Sequence, residues 1–405
     1  MEKGAHDLAS LLRPVSLDAF FSTYWERSIL LVRRGDEAYY EGLLTKQDLE
    51  EIISSADTRY PAIRLAKDSV YYPPQAYCDD VTIGQVTFSG VPNVRKISAE
   101  YSKGATIALT SLDRSWRPLG ALCTRLEGQL DHSVNTNVYI TAGHTAGFPP
   151  HYDTHDILVL QIGGMKRWRI HEPTIKLPHV SRPCEPKVFT PGPQLAEIEL
   201  HAGDSLYLPR GYGHAATTSE SYSAHITIGI NVYTWAELVK DVHPSAVEME
   251  EFRKALPPGF ASRAELRPGM KEHLKRIAPG HFTDGNLDRY LDGIANIIDQ
   301  SRRRIPRPFR SDVIVISADS HLKAPPEQRY KVSKHSGETD AAFLVLDFDG
   351  TKYRLPAQMG SVLNAMCSCG SFRLKDLPGC SNSEPIIAFA SFLQDIRFLS
   401  SAFAK

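Results

Sequence analysis

Cysteine is scarce: six in 405 residues, at 78, 123, 184, 367, 369 and 380, too few for a disulfide scaffold and without the paired spacing of a metal knuckle. They read as reduced thiols. Charge of one sign is not in excess either, since 46 Lys+Arg stand against 47 Asp+Glu, which disfavours a wholesale polyanion-binding surface. No apolar run approaches the roughly 18 residues of a membrane span. The start, Met1-Glu2-Lys3-Gly4-Ala5-His6-Asp7, lacks the apolar stretch of a signal peptide. No membrane partner is expected, and a soluble cytoplasmic location is the default. There is no internal repeat and no long low-complexity tract. What remains is the composition of an ordinary folded chain, 42% hydrophobic and 23% charged, with length for two or three units at about 150 residues each.

The first 60 residues read as helices, because Leu8, Leu11 and Leu12, then Phe20, Phe21 and Trp25, and later Leu49, Ile52 and Ile53 recur at helical spacing. From about Ala105 to Val232 short β-branched and aromatic stretches, such as 157–162 and 205–208, alternate with Gly/Pro turns, the pattern of an all-β barrel or sandwich. The clearest strand is His225 to Tyr233. Its Ile226, Ile228, Ile230 and Val232 fall on one face and His225, Thr227, Gly229 and Asn231 on the other. After Trp235 the sequence turns charged and helical, and Leu287, Tyr290, Leu291, Ile294 and Ile297 form a stripe suited to an intramolecular bundle or a homodimer face. A basic, proline-containing run at 301–310 marks a junction. Beyond it, alternation through Ala342–Phe348, the turn signal Asp349-Gly350 and helical spacing from Ile386 to Ile396 predict a small α/β module. The boundaries expected are 1–240, 241–310 and 311–405.

The chemistry concentrates at Pro150-His151-Tyr152-Asp153. Two residues apart in an extended chain, His151 and Asp153 project from one face and can converge on one cation. His214, after Pro209-Arg210-Gly211-Tyr212-Gly213, supplies a candidate third ligand. Two His and one carboxylate on one face of an octahedral metal leave positions open for an organic co-substrate and dioxygen on Fe(II); zinc demands that vacancy less. His132, His144, His155 and His225 lack an acidic residue two positions later and read as surface, supporting or structural histidines. In Gly163-Gly164-Met165-Lys166-Arg167-Trp168-Arg169-Ile170, a strand following a turn at the glycines puts Lys166, Trp168 and Ile170 on one face. A lysine facing inward is costly unless it meets an anion; a surface lysine is the plain alternative. Asn137 and Tyr139 alternate onto one face and either add hydrogen bonds to a pocket or are ordinary sheet positions.

On these segments, together with Gly104–Ile107, Leu158–Gln161, Gly203–Gly211 and His225–Thr227, the chain resembles the JmjC-type 2-oxoglutarate oxygenases, and within them the ribosomal-oxygenase branch and its bacterial cupin-like relatives. The resemblance covers about residues 15 to 240, with a weaker match of the remainder to that branch's dimerisation and winged-helix regions. It implies a mainly β fold with α: a double-stranded β-helix (jelly-roll, cupin) core with N-terminal helices, a helical middle and a winged-helix-like α/β module. It further implies that His151, Asp153 and His214 hold catalytic Fe(II), that Lys166 binds the distal carboxylate of 2-oxoglutarate, and that Asn137 and Tyr139 line the pocket. Dioxygen is the other co-substrate. The implied activity is hydroxylation of a protein or peptide side chain, a ribosomal protein being the leading specific target and a natural-product peptide the alternative. One departure is visible: some relatives carry a small hydroxyl residue where this chain has Gly229.

Other readings use the same residues differently. A non-oxygenase metal-binding cupin would want the triad but has no evident need of Lys166. A winged helix binding nucleic acid directly is disfavoured by Asp340, Asp347 and Asp349. Cys367, Cys369 and Cys380 lack a fourth zinc ligand at a familiar spacing and are expected as core thiols. The Arg302–Arg304 run reads as a solvated linker.

Overall fold

A computed structural model describes residues 6–55, 58–67, 70–143, 145, 149–186, 188–218, 222–239, 244–277, 316–325, 330–335, 343–348, 351–377, 384–395 and 398–401. The chain divides into two compact units, Met1–Arg303 and Arg304–Lys405, each described by itself.

The first unit opens with helix Leu8–Leu12, which begins where Asp7 caps the Ser10 N–H and Ser10 returns a bond to the Asp7 N–H. Its Leu8, Leu11 and Leu12 are buried. A π-helical turn, Phe20–Tyr24, and helix Lys46–Ser54, boxed by Thr45 and Asp48, complete the expected helices. Between them the chain departs from the all-helical expectation. Leu30–Val32 is a strand, paired antiparallel to Ser205–Leu208 at one edge of the main sheet. Three residues are too short for a periodicity to show.

That sheet runs in the order Leu30–Val32, Ser205–Leu208, Asp156–His171, Ser223–Asn231, Ser133–Thr141, Thr106–Leu109, Ile63–Lys67 and Val70–Tyr71, antiparallel throughout. A one-residue alternation gives it two unlike faces. Ile63, Leu65, Ile107, Leu109, Val134, Val138, Ile140, Ile226, Ile228 and Ile230 join the N-terminal helices in the principal core. Helix Arg117–Leu130 packs Leu119, Leu122, Leu126 and Leu130 into the same core. It corrects the all-β expectation for 105–232, where the helical spacing of these leucines lay inside a strand-rich stretch.

The opposite layer is built from the second half of the strand Asp156–His171, which pairs with Gln194–His201 and Gly213–Thr217. Gly163-Gly164 is therefore not a turn before a strand, as expected from sequence, but a bend inside a 16-residue one. Gly164 has φ +61°, and a Cβ there would lie 1.8 Å from the Tyr222 carbonyl oxygen. Ile157, Val159, Trp168, Ile170, Ile198, Leu200, Leu206 and Leu208 fill the space between the layers on that side. The result is the jelly-roll core expected, with the second face of the main sheet turned toward the smaller layer.

After the barrel, Trp235–Val239, Glu250–Arg253 and Arg267–Ile277 are helices gathered about Trp235, Leu238, Phe252, Leu256, Phe260 and Leu274. The stripe Leu287–Ile297, the Arg302–Arg304 run, His144, the Asp349-Gly350 signal and Cys380 lie outside the described residues.

In the second unit, Tyr330–His335, Phe343–Phe348 and Thr351–Pro356 form an antiparallel meander, and His321–Lys323 lies between Ser371–Arg373 and Ser400–Ser401. Leu344, Leu346 and Phe348 are buried, as their alternation requires, against helices Gly360–Cys369 and Glu384–Asp395 through Leu363, Met366, Phe389 and Leu393. Cys367 is half-buried and Cys369 exposed, so Cys369 is not the core thiol expected. Among the described residues, no helix is long and apolar enough to cross a membrane.

Candidate active site

The site lies on the second face of the main sheet, where the alternation puts Thr106, Asn137, Tyr139, His225 and Thr227 opposite the core. His151 and Asp153 sit on the segment entering the strand Asp156–His171; His214 sits in Gly213–Thr217. A two-way main-chain bridge joins the histidines, with His151 N–H to His214 O at 3.1 Å and His214 N–H to His151 O at 2.8 Å. Ligand atoms of His151, Asp153 and His214 all fall within 4.8 Å of one another, and among the described residues no other group of His, Cys, Asp and Glu converges this way.

Both imidazoles are oriented by their own backbone neighbours. His151 Nδ1 lies 2.8 Å from the Pro149 carbonyl and His214 Nδ1 3.1 Å from that of Tyr212. Each Nδ1 then carries the proton and donates it, which leaves Nε2 as the lone-pair nitrogen facing the shared centre. His214 Nε2 is 3.6 Å from Asp153 Oδ2. Burial, with His151 alongside, holds the His214 imidazole well below its ordinary value. It is neutral at neutral pH, the state a metal ligand needs.

These residues border a cavity of about 120 Å³, lined also by His155, Ile157, Lys166, Trp168, Ala216 and His225. Lys166 projects inward, as its face predicted, and is only 4% exposed. Its Nζ donates to Thr141 Oγ1 at 3.3 Å, and that hydroxyl lies 3.2 Å from Thr106 Oγ1. No carboxylate among the described residues pairs with it, and burial lowers its pKa from 10.5 to about 7. Two further buried polar atoms, Trp168 Nε1 and His225 Nδ1, have no hydrogen-bond partner among the described residues. Their rings pack at 5.6 Å, and Tyr139 stacks on His225 at 5.3 Å. A small cavity with a triad at one side, a buried lysine amine without a carboxylate among the described residues and two unpartnered ring nitrogens fits a metal ion together with a bound anion.

All six residues singled out from the sequence border this cavity. Asn137 also accepts the Ser111 N–H at 3.0 Å, so part of its capacity is spent on the scaffold. The sequence reading undervalued His155 and His225, which line the cavity, and passed over Thr106, Thr141 and Ala216. The alternation in 223–231 carried the signal for His225. His155 needed the fold: its ring occupies the space above Gly229, where a Cβ would lie 3.0 Å from His155 Cδ2 and 3.1 Å from Asn135 Oδ1. The volume a hydroxyl side chain would take at 229 is thus filled by an imidazole.

Residues 114–238, which contain all six, match the JmjC domain family. The chain resembles that family over this stretch. It is 28% identical over 315 residues to the bifunctional lysine-specific demethylase and histidyl-hydroxylase NO66 of Drosophila persimilis, covering 73% of this chain and 44% of that protein. To ribosomal oxygenase 2 of Mus musculus it is 32% identical, covering 54% of this chain and 46% of that one. The chain is thus similar in sequence to a ribosomal oxygenase, and it spans less than half the length of these curated relatives. Among solved structures, YcfD, a ribosomal oxygenase from Escherichia coli in complex with cobalt and 2-oxoglutarate, aligns over 96% of this chain and 99% of that one at 15% identity and a TM-score of 0.47.

Proposed function

We propose that the protein is an Fe(II)- and 2-oxoglutarate-dependent oxygenase that hydroxylates a protein side chain, with a ribosomal protein as the target class. The observation that carries the reading is the pairing of the His151, Asp153 and His214 triad with a buried lysine to which the described residues bring no anion. A metal-storing or hydrolytic cupin would account for the triad and leave Lys166 as an unexplained buried charge.

Ferrous iron held by the triad would supply dioxygen activation, coupled to decarboxylation of 2-oxoglutarate to succinate, with the second oxygen atom placed in the substrate. The chain's part is binding and geometry. Lys166 clasps the distal carboxylate of the keto-diacid, and the Thr141 hydroxyl beside it is placed to donate to the same group. The orphaned Trp168 and His225 nitrogens offer further donors or acceptors within the cavity. Trp168, Ile157 and Ala216 exclude water from a site whose volume leaves little spare room. Asn137 and Tyr139 line the same pocket, and His155 borders it over Gly229. A cytoplasmic location is part of the same proposal.

The test is succinate formation with Fe(II), ascorbate and 2-oxoglutarate, followed by intact-mass comparison of ribosomal proteins for an oxygen gain that requires 2-oxoglutarate. Parent protein should form succinate slowly without target and faster with it. Failure to bind 2-oxoglutarate in the presence of a divalent metal would end the proposal.

A further inference from the structure

Two separate stretches of chain supply the triad, 151–156 and 207–214, and their spacing decides whether three ligand atoms can share one ion. The main chain joins them at His151 and His214, and again where the Gly211 N–H donates to Asp153 O at 3.1 Å. Next to these bonds lies a buried ion network to which the cavity gives no role. Asp156, fully buried, accepts the Arg210 N–H at 3.1 Å and Arg210 Nη1 at 2.8 Å through one oxygen, and the Tyr207 hydroxyl at 2.6 Å through the other. Arg210 Nη2 reaches Glu26 and the Arg253 carbonyl. Glu26 accepts the Ala255 N–H at 2.7 Å, and its own N–H donates to Tyr207 Oη at 3.1 Å. Glu26 also sits at φ +59°, in the left-handed region that only a well-determined surrounding holds for a non-glycine residue.

We propose that Asp156, Arg210, Tyr207 and Glu26 form a positioning device for the metal triad, clamping the Asp153 stretch to the His214 turn so that divalent-metal affinity falls when the clamp is loosened. Buried ion pairs add little net stability over apolar packing, but a fully satisfied one fixes registry. Here the registry is between Asp156, three residues past Asp153, and Arg210, adjacent to the Gly211 that holds the Asp153 carbonyl. None of the four touches the reacting groups, so they are positioning residues. The inference rests on the metal-site reading above.

The experiment is Mn(II) titration by calorimetry of the full chain, with Co(II) absorption spectra as a report of ligand geometry and thermal melts as a report of folding. Asp156→Asn keeps the shape and removes the charge; its Mn(II) dissociation constant should rise about tenfold or more, with an altered Co(II) band. Tyr207→Phe removes one bond to the same carboxylate, should show a smaller loss in the same direction, and serves if Asp156→Asn does not fold. The control is Asp131→Asn. Asp131 is buried and accepts the Ala261 and Ser262 N–H groups and the Ser262 hydroxyl at 2.8–3.0 Å, remote from the triad in the contacts it makes. That variant should melt earlier while keeping the parent's Mn(II) affinity and Co(II) spectrum. Parent-like Mn(II) binding by Asp156→Asn, or by Tyr207→Phe if that is the variant that folds, overturns the proposal. So does an equal loss in Asp131→Asn, which would show general loosening. Absence of Mn(II) and Co(II) binding by the parent itself overturns the metal reading instead, so the two failures are distinct.

Discussion

Lys166→Met separates the binding role of the buried ammonium from its structural cost. Lys166 donates to Thr141, shares the cavity wall with Trp168 and His225, and meets no carboxylate among the described residues. The fall from 10.5 to about 7 has burial as its cause. At about 1.36 kcal/mol per tenfold, it corresponds to a destabilisation on the order of 5 kcal/mol when the group is charged. The sign follows from linkage. The folded state prefers the neutral amine, so between pH 7 and 10.5 the unfolded chain binds the extra proton and stability rises with pH. The penalty is therefore fully present below about pH 7 and is relieved on going to pH 10.5. Methionine matches the stem without the charge, so the variant should melt higher than the parent at pH 6, and the difference should shrink by pH 9. Toward 2-oxoglutarate the effect reverses. One charge-assisted contact is worth about 1.5 to 3 kcal/mol, or roughly 10- to 100-fold in affinity. Calorimetric titration with 2-oxoglutarate in the presence of Mn(II) measures this directly. A variant that melts higher and titrates like the parent would refute the anchor assignment and leave Lys166 as mere buried charge.

Other outcomes follow from the same geometry. His151→Ala and Asp153→Ala should each abolish succinate formation and Mn(II) binding while leaving the melt near the parent's; retained Mn(II) binding in either would remove that residue from the triad. Affinity for 2-oxoglutarate should be flat below about pH 7 and decline above it, because the bound carboxylate favours the protonated amine; titrations in buffers of different ionisation enthalpy should show proton uptake. Gly164→Ala should be destabilised by several kcal/mol, since φ +61° and the Tyr222 carbonyl both exclude a Cβ, whereas Gly128→Ala, with nothing within 4 Å on an exposed helix position, should gain about 0.5–1 kcal/mol; denaturant midpoints decide both. The apolar stripe Leu287–Ile297 leads us to expect a homodimer, and a monomer mass by light scattering at micromolar concentration would count against it.

The site was legible from the sequence where a local rule fixed the outcome and opaque where two distant segments had to meet. His151 and Asp153 are two apart in an extended segment, so their common face needs no fold. The inward face of Lys166 follows from the same alternation, and its neighbours Arg167 and Arg169 turn outward to pair with Glu199 and Glu197. His155 could not be placed this way. It follows Asp153 by two residues like a further member of the series, yet its ring rests on Gly229, a neighbour only once Ser223–Asn231 has paired with Asp156–His171. The helix Arg117–Leu130 was missed for a related reason: its leucines have helical spacing, but the strands on either side set the reading of the stretch.

The bend at Gly164 explains why one strand can serve both ends of the cavity. Up to Gly164 the strand is paired with Ser223–Asn231 in the main sheet; from Met165 it is paired with Gln194–His201 in the smaller layer. A glycine pair in sequence suggested a stop and a restart, which would have left the position of Lys166 relative to Asp153 open. A continuous strand with one left-handed residue fixes that relation through the backbone, because the segment leading in carries the triad carboxylate and the segment leading out carries the lysine. The distance between a metal and the far carboxylate of a five-carbon keto-diacid is itself fixed by covalent structure. A site that must match it is better built on one bent strand than on two independent loops, where small errors in each would add.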